Sequence, residues 1–168
     1  MMIKKTTLAA ALVLAALSLS ACALFRQPPP PGAPLAEVTA ALGQPDASYP
    51  EPDGGQLLEY RGQPMGQFQH MARIGPDGRL VSYEQVLTSE NFAKVKVDHW
   101  TKDDVLHHFG RPAEVSRVGF HNYEVWSYRY KEAGVWNSLM HLHFDEQGVV
   151  RQMLNGPDPM FEDRDRRH

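Results

Sequence analysis

Apolar residues recur at helical spacing twice in this chain, and each run ends in a glycine followed two residues on by a proline. In residues 100–112 (WTKDDVLHHFGRP), Val105, Leu106 and Phe109 form one stripe. Thr101 and Asp104 make a capping-box pattern, and Asp103 and Asp104 set negative charge where the helix dipole favours it. Gly110 suits a left-handed C-terminal residue, and Pro112 forbids continuation. Residues 35–45 (LAEVTAALGQP) repeat the scheme, with Pro34 at the start, a stripe of Leu35, Val38 and Leu42, and Gly43 as the stop. Gly43 and Gly110 lie 67 residues apart. A further short helix is expected over 88–95 (TSENFAKV), with Thr88 as its cap and Phe92 and Val95 facing inward.

After each Gly-x-Pro stop the period changes from helical to alternating. Strands are expected over 57–61 (LLEYR), 67–74 and 79–87 in the first half, and over 124–130 (EVWSYRY), 138–144 (SLMHLHF) and 149–154 in the second. The gap 47–55 (ASYPEPDGG) reads as turn material, and 155–159 (NGPDP) as a chain breaker. The fold class expected is therefore α+β: two tandem units, each of short helices packed on a three-stranded antiparallel sheet. The first, trimmed unit spans 34–87 and the second 88–157, with 158–168, ending EDRDRRH, as a charged flexible tail. Leu58 and Tyr60 match Trp126 and Tyr128, and these large side chains are expected to build the two cores. Glu59, Arg61, Arg129, His141 and His143 are the polar positions expected to be exposed on the sheets.

The start of the chain has no such pattern. Lys4 and Lys5 precede an uncharged, alanine- and leucine-rich stretch over 6–25, which reads as an export signal over 1–21. It ends in Leu19-Ser20-Ala21-Cys22, a lipobox, and Cys22 is the only cysteine of the 168-residue chain. Lipidation of Cys22 resolves what a lone thiol would otherwise mean for an exported protein. Residues 22–33 then form a lipidated N-terminus and a spacer, whose 27–34 (QPPPPGAP) favours polyproline II. The box resembles that of bacterial lipoproteins, and by the rule for Gram-negative lipoproteins alanine, not aspartate, after the cysteine implies lipid anchoring in the outer membrane, facing the periplasm. With a formal charge of −3 and no basic run, no nucleic-acid partner is expected.

Candidate chemistry is sparse. His141 and His143 alternate along one strand and project from the same face, as two metal ligands would, but no third ligand is evident, and the expectation is no metal. His107 and His108 lie near Asp103 and Asp104 at helical spacing, as weak surface pairs. No P-loop, GxSxG, HExxH or CxxC motif is present, so neither a cofactor nor catalysis is expected.

The lipobox, TKDDVLHHFGRP, the Trp126-x-Tyr128 strand, Phe144-Asp145 and the turn at Gly148 together resemble the BamE/SmpA/OmlA family of outer-membrane lipoproteins. The resemblance covers 88–154 well and 34–87 more loosely. It implies a non-catalytic scaffold or modulator of envelope assembly, working through protein contacts, with the β-barrel assembly machinery as the partner. The tandem arrangement is also similar to β-lactamase-inhibitory protein. That implies the alternative, a periplasm-facing inhibitor or binding module that captures a soluble protein or ligand on joined sheets.

Overall fold

The computed structural model describes residues 27–119 and 122–161. Cys22, the signal segment and the end of the charged tail lie outside the described residues. Helix α1 (Leu35–Leu42) is followed by strands β1 (Ala47–Pro50), β2 (Gln56–Arg61), β3 (Gln69–Ile74) and β4 (Leu80–Gln85). Helices α2 (Ser89–Phe92) and α3 (Lys102–Phe109) then lead into β5 (Glu114–Val118), β6 (Tyr123–Glu132), β7 (Trp136–Phe144) and β8 (Val150–Pro157). Each set of four strands forms one antiparallel sheet in sequence order.

The expected fold class is thereby corrected. The molecule is mostly β, with two four-stranded antiparallel sheets and few, short helices, not tandem helices on three-stranded sheets. The strands absent from the sequence reading are β1, within the segment read as turn, and β5. Both are edge strands with little apolar face to read: β5 is exposed along its length, and in the four residues of β1 only Tyr49 packs on the main core. They are held by the register of their neighbours, Ser48 opposite Leu58 and Val115 opposite Trp126, and such pairing leaves no periodicity to read.

Two other boundaries move for the same reason. The proline-rich spacer does not stay free to its end: the Gly32 amide donates to the Leu80 carbonyl (2.7 Å), the Leu80 amide to Ala33 (2.8 Å), and Ala33 is buried. Strand β8 runs through Asn155-Gly156-Pro157, pairing with Ser138, Leu139 and Met140 at a sheet edge where proline is tolerated.

Equivalent backbone contacts recur in both halves. Pro34 bridges Arg79 as Thr101 bridges Val149, and the Leu35 amide donates to Gly78 as Lys102 does to Gly148. Register shifts fall at Arg73/Ile74 and at His143/Phe144. Tyr60 and Tyr128 each send a hydroxyl to the carbonyl of the preceding helix's terminal glycine, Gly43 (3.4 Å) and Gly110 (2.9 Å).

The cores differ in size. On one face of the first sheet, α1 packs Val38 against Leu58, Ala72, Ile74 and Leu80. The other face contributes Leu57 and Met71 to a larger core with Phe92, Val105, Phe109, Trp126, Tyr128, Tyr130, Leu142 and Phe144. Helices α2 and α3 therefore form a shared layer between the sheets, and the first sheet is covered on both faces. Covering both faces explains why Leu57 and Leu58, adjacent in sequence and opposite in direction, are both buried.

Candidate functional site

The C-terminus of α3 is the joint between the two halves. The Thr101–Asp104 capping box starts this helix, with the Thr101 amide on Asp104 Oδ2 (2.7 Å), and that backbone hydrogen bond holds the Asp104 carboxyl below the usual range. At the other end Gly110 has φ +69°, and a β-carbon there would lie 2.9 Å from both Glu59 Cδ and Met71 Cε and collide with the Gln69 amide. The Gln69 amide nitrogen donates to the Phe109 carbonyl. Glu59, fully buried, accepts from Tyr49 Oη (2.6 Å) and from Arg111 Nε (3.4 Å). Burial, and then the hydrogen bond and charge of Glu59, push the Tyr49 hydroxyl well up.

Further along, the Gln63 side chain closes on the free edge of β6. Its Nε2 donates to the Arg129 carbonyl (2.7 Å), and its Oε1 accepts from the Arg129 amide (3.3 Å). Arg129 in turn pairs with Asp158, which is fully buried, so the start of the expected tail is docked on the body. Glu59 and His143, expected on exposed sheet positions, are thus buried, and Arg129 and Arg61 are half-buried, Arg61 with a guanidinium hydrogen bond to the Pro112 carbonyl. The charges of Glu59, Arg61 and Arg129 bond within the molecule, at the joint.

Between the first sheet and the helices lies a cleft of about 200 Å³, with Leu57, Met71, Val86 and Phe109 as its floor and Arg73, Lys94 and His107 among its walls. Glu51 bridges two of those walls, pairing with Arg73 and with His107 Nε2 (2.8 Å). His107 therefore points at the first sheet, not at the helix's own aspartates. His108 bonds the Asp104 backbone carbonyl (2.8 Å) and lies 4.2 Å from the Trp100 ring centroid.

His141 and His143 share one face of β7, the face away from α2 and α3. Their register neighbours there are Ser127 and Leu154 for His141, and Val125 and Gln152 for His143. None adds a metal-ligating side chain, and no group of three or more such residues occurs among the described residues. Ser127 Oγ is 2.8 Å from His141 Nδ1. The row runs Glu114, Ser127, His141, so the hydroxyl stands between carboxylate and imidazole, whereas a nucleophilic triad needs the imidazole in the middle. Burial lowers the basicity of both histidines and of His70, and the charge of His141 adds to the effect on His143.

These shifts fix a pH response. An unfolded histidine takes a proton near pH 6.5, while the folded ones take it lower, so acidification favours the unfolded chain. The contribution is complete above pH 6.5 and is lost as the pH falls below it. Urea midpoints measured from pH 7.5 to 5 should fall, and should fall less in a His70→Asn, His143→Asn variant. Asp104 and Glu124, whose carboxyls are held low, act in a separate window below about pH 4.5.

The sequence did not single out one further group. On the α1 face of the first sheet, Phe68 lies 5.7 Å from His70, His70 stacks on Tyr83 (4.9 Å, 7° between planes), and Tyr83 meets Tyr60 edge-on at 6.1 Å. Phe68 is 49% exposed and Met65, in the adjoining loop, 68%. Burial keeps the two tyrosine hydroxyls protonated and the imidazole neutral, so the strip carries no charge at neutral pH. The legible signal was a β2–β3 loop carrying Met65 and Phe68 where polar residues are usual.

No family model matches the chain, and no curated protein matches it. Among solved structures, a DUF4309-family protein (YjgB) from Bacillus subtilis is similar at 16% identity and a TM-score of 0.30, over 71% of this chain and 74% of that one. That likeness is too slight to carry fold or function.

Proposed function

We propose that the chain is an outer-membrane lipoprotein, anchored through Cys22 and facing the periplasm, that works by holding a protein partner and not by catalysis. The strip of Phe68, His70, Tyr83 and Tyr60 with Met65 at its end carries this reading. Uncharged, partly exposed aromatics on a rigid sheet are the usual anchors of a protein interface. The interlocked cores support it by fixing that strip on a stiff body, and the lipobox supports the anchor. The out-of-order Ser127–His141 pair favours binding over nucleophilic chemistry.

A photoreactive residue placed at Phe68 tests the reading in native membranes. One predominant protein adduct is expected, strongly reduced by Tyr83→Ala. Absence of any protein adduct from both Phe68 and Met65 would sink it. A β-barrel assembly component in the adduct assigns the chain to envelope assembly; a soluble periplasmic protein assigns it to capture or inhibition. The anchor has its own check: Cys22→Ser should leave an unprocessed precursor at the inner membrane, since the thiolate is the group that is alkylated.

A further inference from the structure

Strands β6 and β7 are ten and nine residues long, whereas α2, which covers part of their inner face, has only four. Ser89 Oγ, at the start of α2, accepts from the Ala133 amide in the hairpin turn (3.1 Å), so the helix meets only one part of the hairpin's tip. At this end of the sheet, by strand alternation, Glu132 of β6, Trp136 and Ser138 of β7 and Asn155 of β8 share the inner face, and Glu132 and Trp136 are direct cross-strand partners. Trp136 is 68% exposed, whereas Trp126 is 8% exposed in the core. With Gly156 and Pro157 these residues line an open cleft of about 390 Å³. Small-ligand clefts run from about 300 to 1,000 Å³.

The polar groups of this cleft are set in place by the fold. Tyr130, 1% exposed in the main core, donates its hydroxyl to Asn155 Oδ1 (3.0 Å). That bond fixes the exposed carboxamide with its NH2 end turned away from the tyrosine. Ser138 Oγ donates to Glu132 Oε2 (2.8 Å), which fixes the carboxylate beside the indole. The cleft thus presents a flat aromatic face bordered by an amide donor and a carboxylate acceptor, the latter held from below by the buried Ser138.

We infer that this cleft binds a pyranose ring of a saccharide. A pyranose has an apolar C–H face, which fits an exposed indole, and a rim of hydroxyls that each donate and accept, which fits Asn155 and Glu132. The site is on the second sheet and is separate from the aromatic strip on the first, so the two readings stand or fall apart. Trp136 contributes little to the core, and its replacement leaves the fold intact.

The test is tryptophan fluorescence of the full chain in a detergent without a sugar headgroup. The probes are the N-acetylglucosamine trimer, maltotriose and cellotriose, with tetramethylammonium chloride as the comparison. At least one oligosaccharide should give a saturable change. The change should vanish in Trp136→Ala, and affinity should fall about ten-fold or more in Asn155→Ala and in Glu132→Gln, with far-UV circular dichroism unchanged. Trp136→Phe, followed by calorimetry, should retain weakened binding. No saturable response to any of the three sugars, a response that survives Trp136→Ala, or a response to tetramethylammonium alone overturns the assignment.

Discussion

Gly110→Ala should destabilise the folded chain by about 1–3 kcal/mol more than Gly43→Ala. Both glycines end a helix in the same backbone region, φ +69°, ψ −163° for Gly110 and φ +92°, ψ −174° for Gly43. That region is nearly exclusive to glycine and costs any other residue about 1–3 kcal/mol, so this part is common to both variants. The difference is steric. A β-carbon at Gly43 meets nothing within 4 Å, whereas one at Gly110 runs into Gln69, Glu59 and Met71. Gln69 cannot withdraw without leaving the Phe109 carbonyl unbonded. Urea unfolding of the two variants measures the gap, and equal losses would mean that the joint is looser than described.

Glu59→Ala is the second large effect, at about 3–5 kcal/mol. The change empties a fully buried site and leaves the Tyr49 hydroxyl and Arg111 Nε without their acceptor, while Arg111 Nη2 keeps the Asp46 carbonyl (3.0 Å). Most of the loss comes from the Tyr49 side and the cavity, because the Arg111 side chain is 44% exposed and water can replace part of its pairing. Glu59→Gln keeps the volume and an acceptor for Tyr49, and should cost about 1–3 kcal/mol. It carries a spectroscopic signature as well. Without the carboxylate charge, Tyr49 should ionise at lower pH than in the parent, which ultraviolet titration of the phenol reads.

The helix ends were written in the sequence and the layers were not. Thr101, Asp104 and Gly110 announce α3 because capping acts over three or four residues, and its bounds, Lys102–Phe109, fall between them. The repeated Tyr60 and Tyr128 were visible as matched large residues, although their shared hydroxyl bond to a terminal glycine was not. Strands β1 and β5 escaped notice because edge pairing depends on the neighbouring strand. Glu59 illustrates the larger failure. Alternation with Leu58 and Tyr60 placed it on the opposite face of β2, and alternation cannot say that a helix from 50 residues downstream covers that face. The aromatic strip and the Trp136 cleft were hidden likewise, since each gathers residues from several strands.

Helices α2 and α3, as a layer common to both sheets, are the centre of this account, and native-state hydrogen exchange tests them most directly. If the two halves share a core, the slowest amides of β3 and β7 open only with the whole molecule, at the same free energy, and Gly110→Ala lowers both together. Protection in β3 that lies clearly below that in β7 in the parent, or a Gly110→Ala effect confined to β7, would contradict it and leave two independently folded sheets.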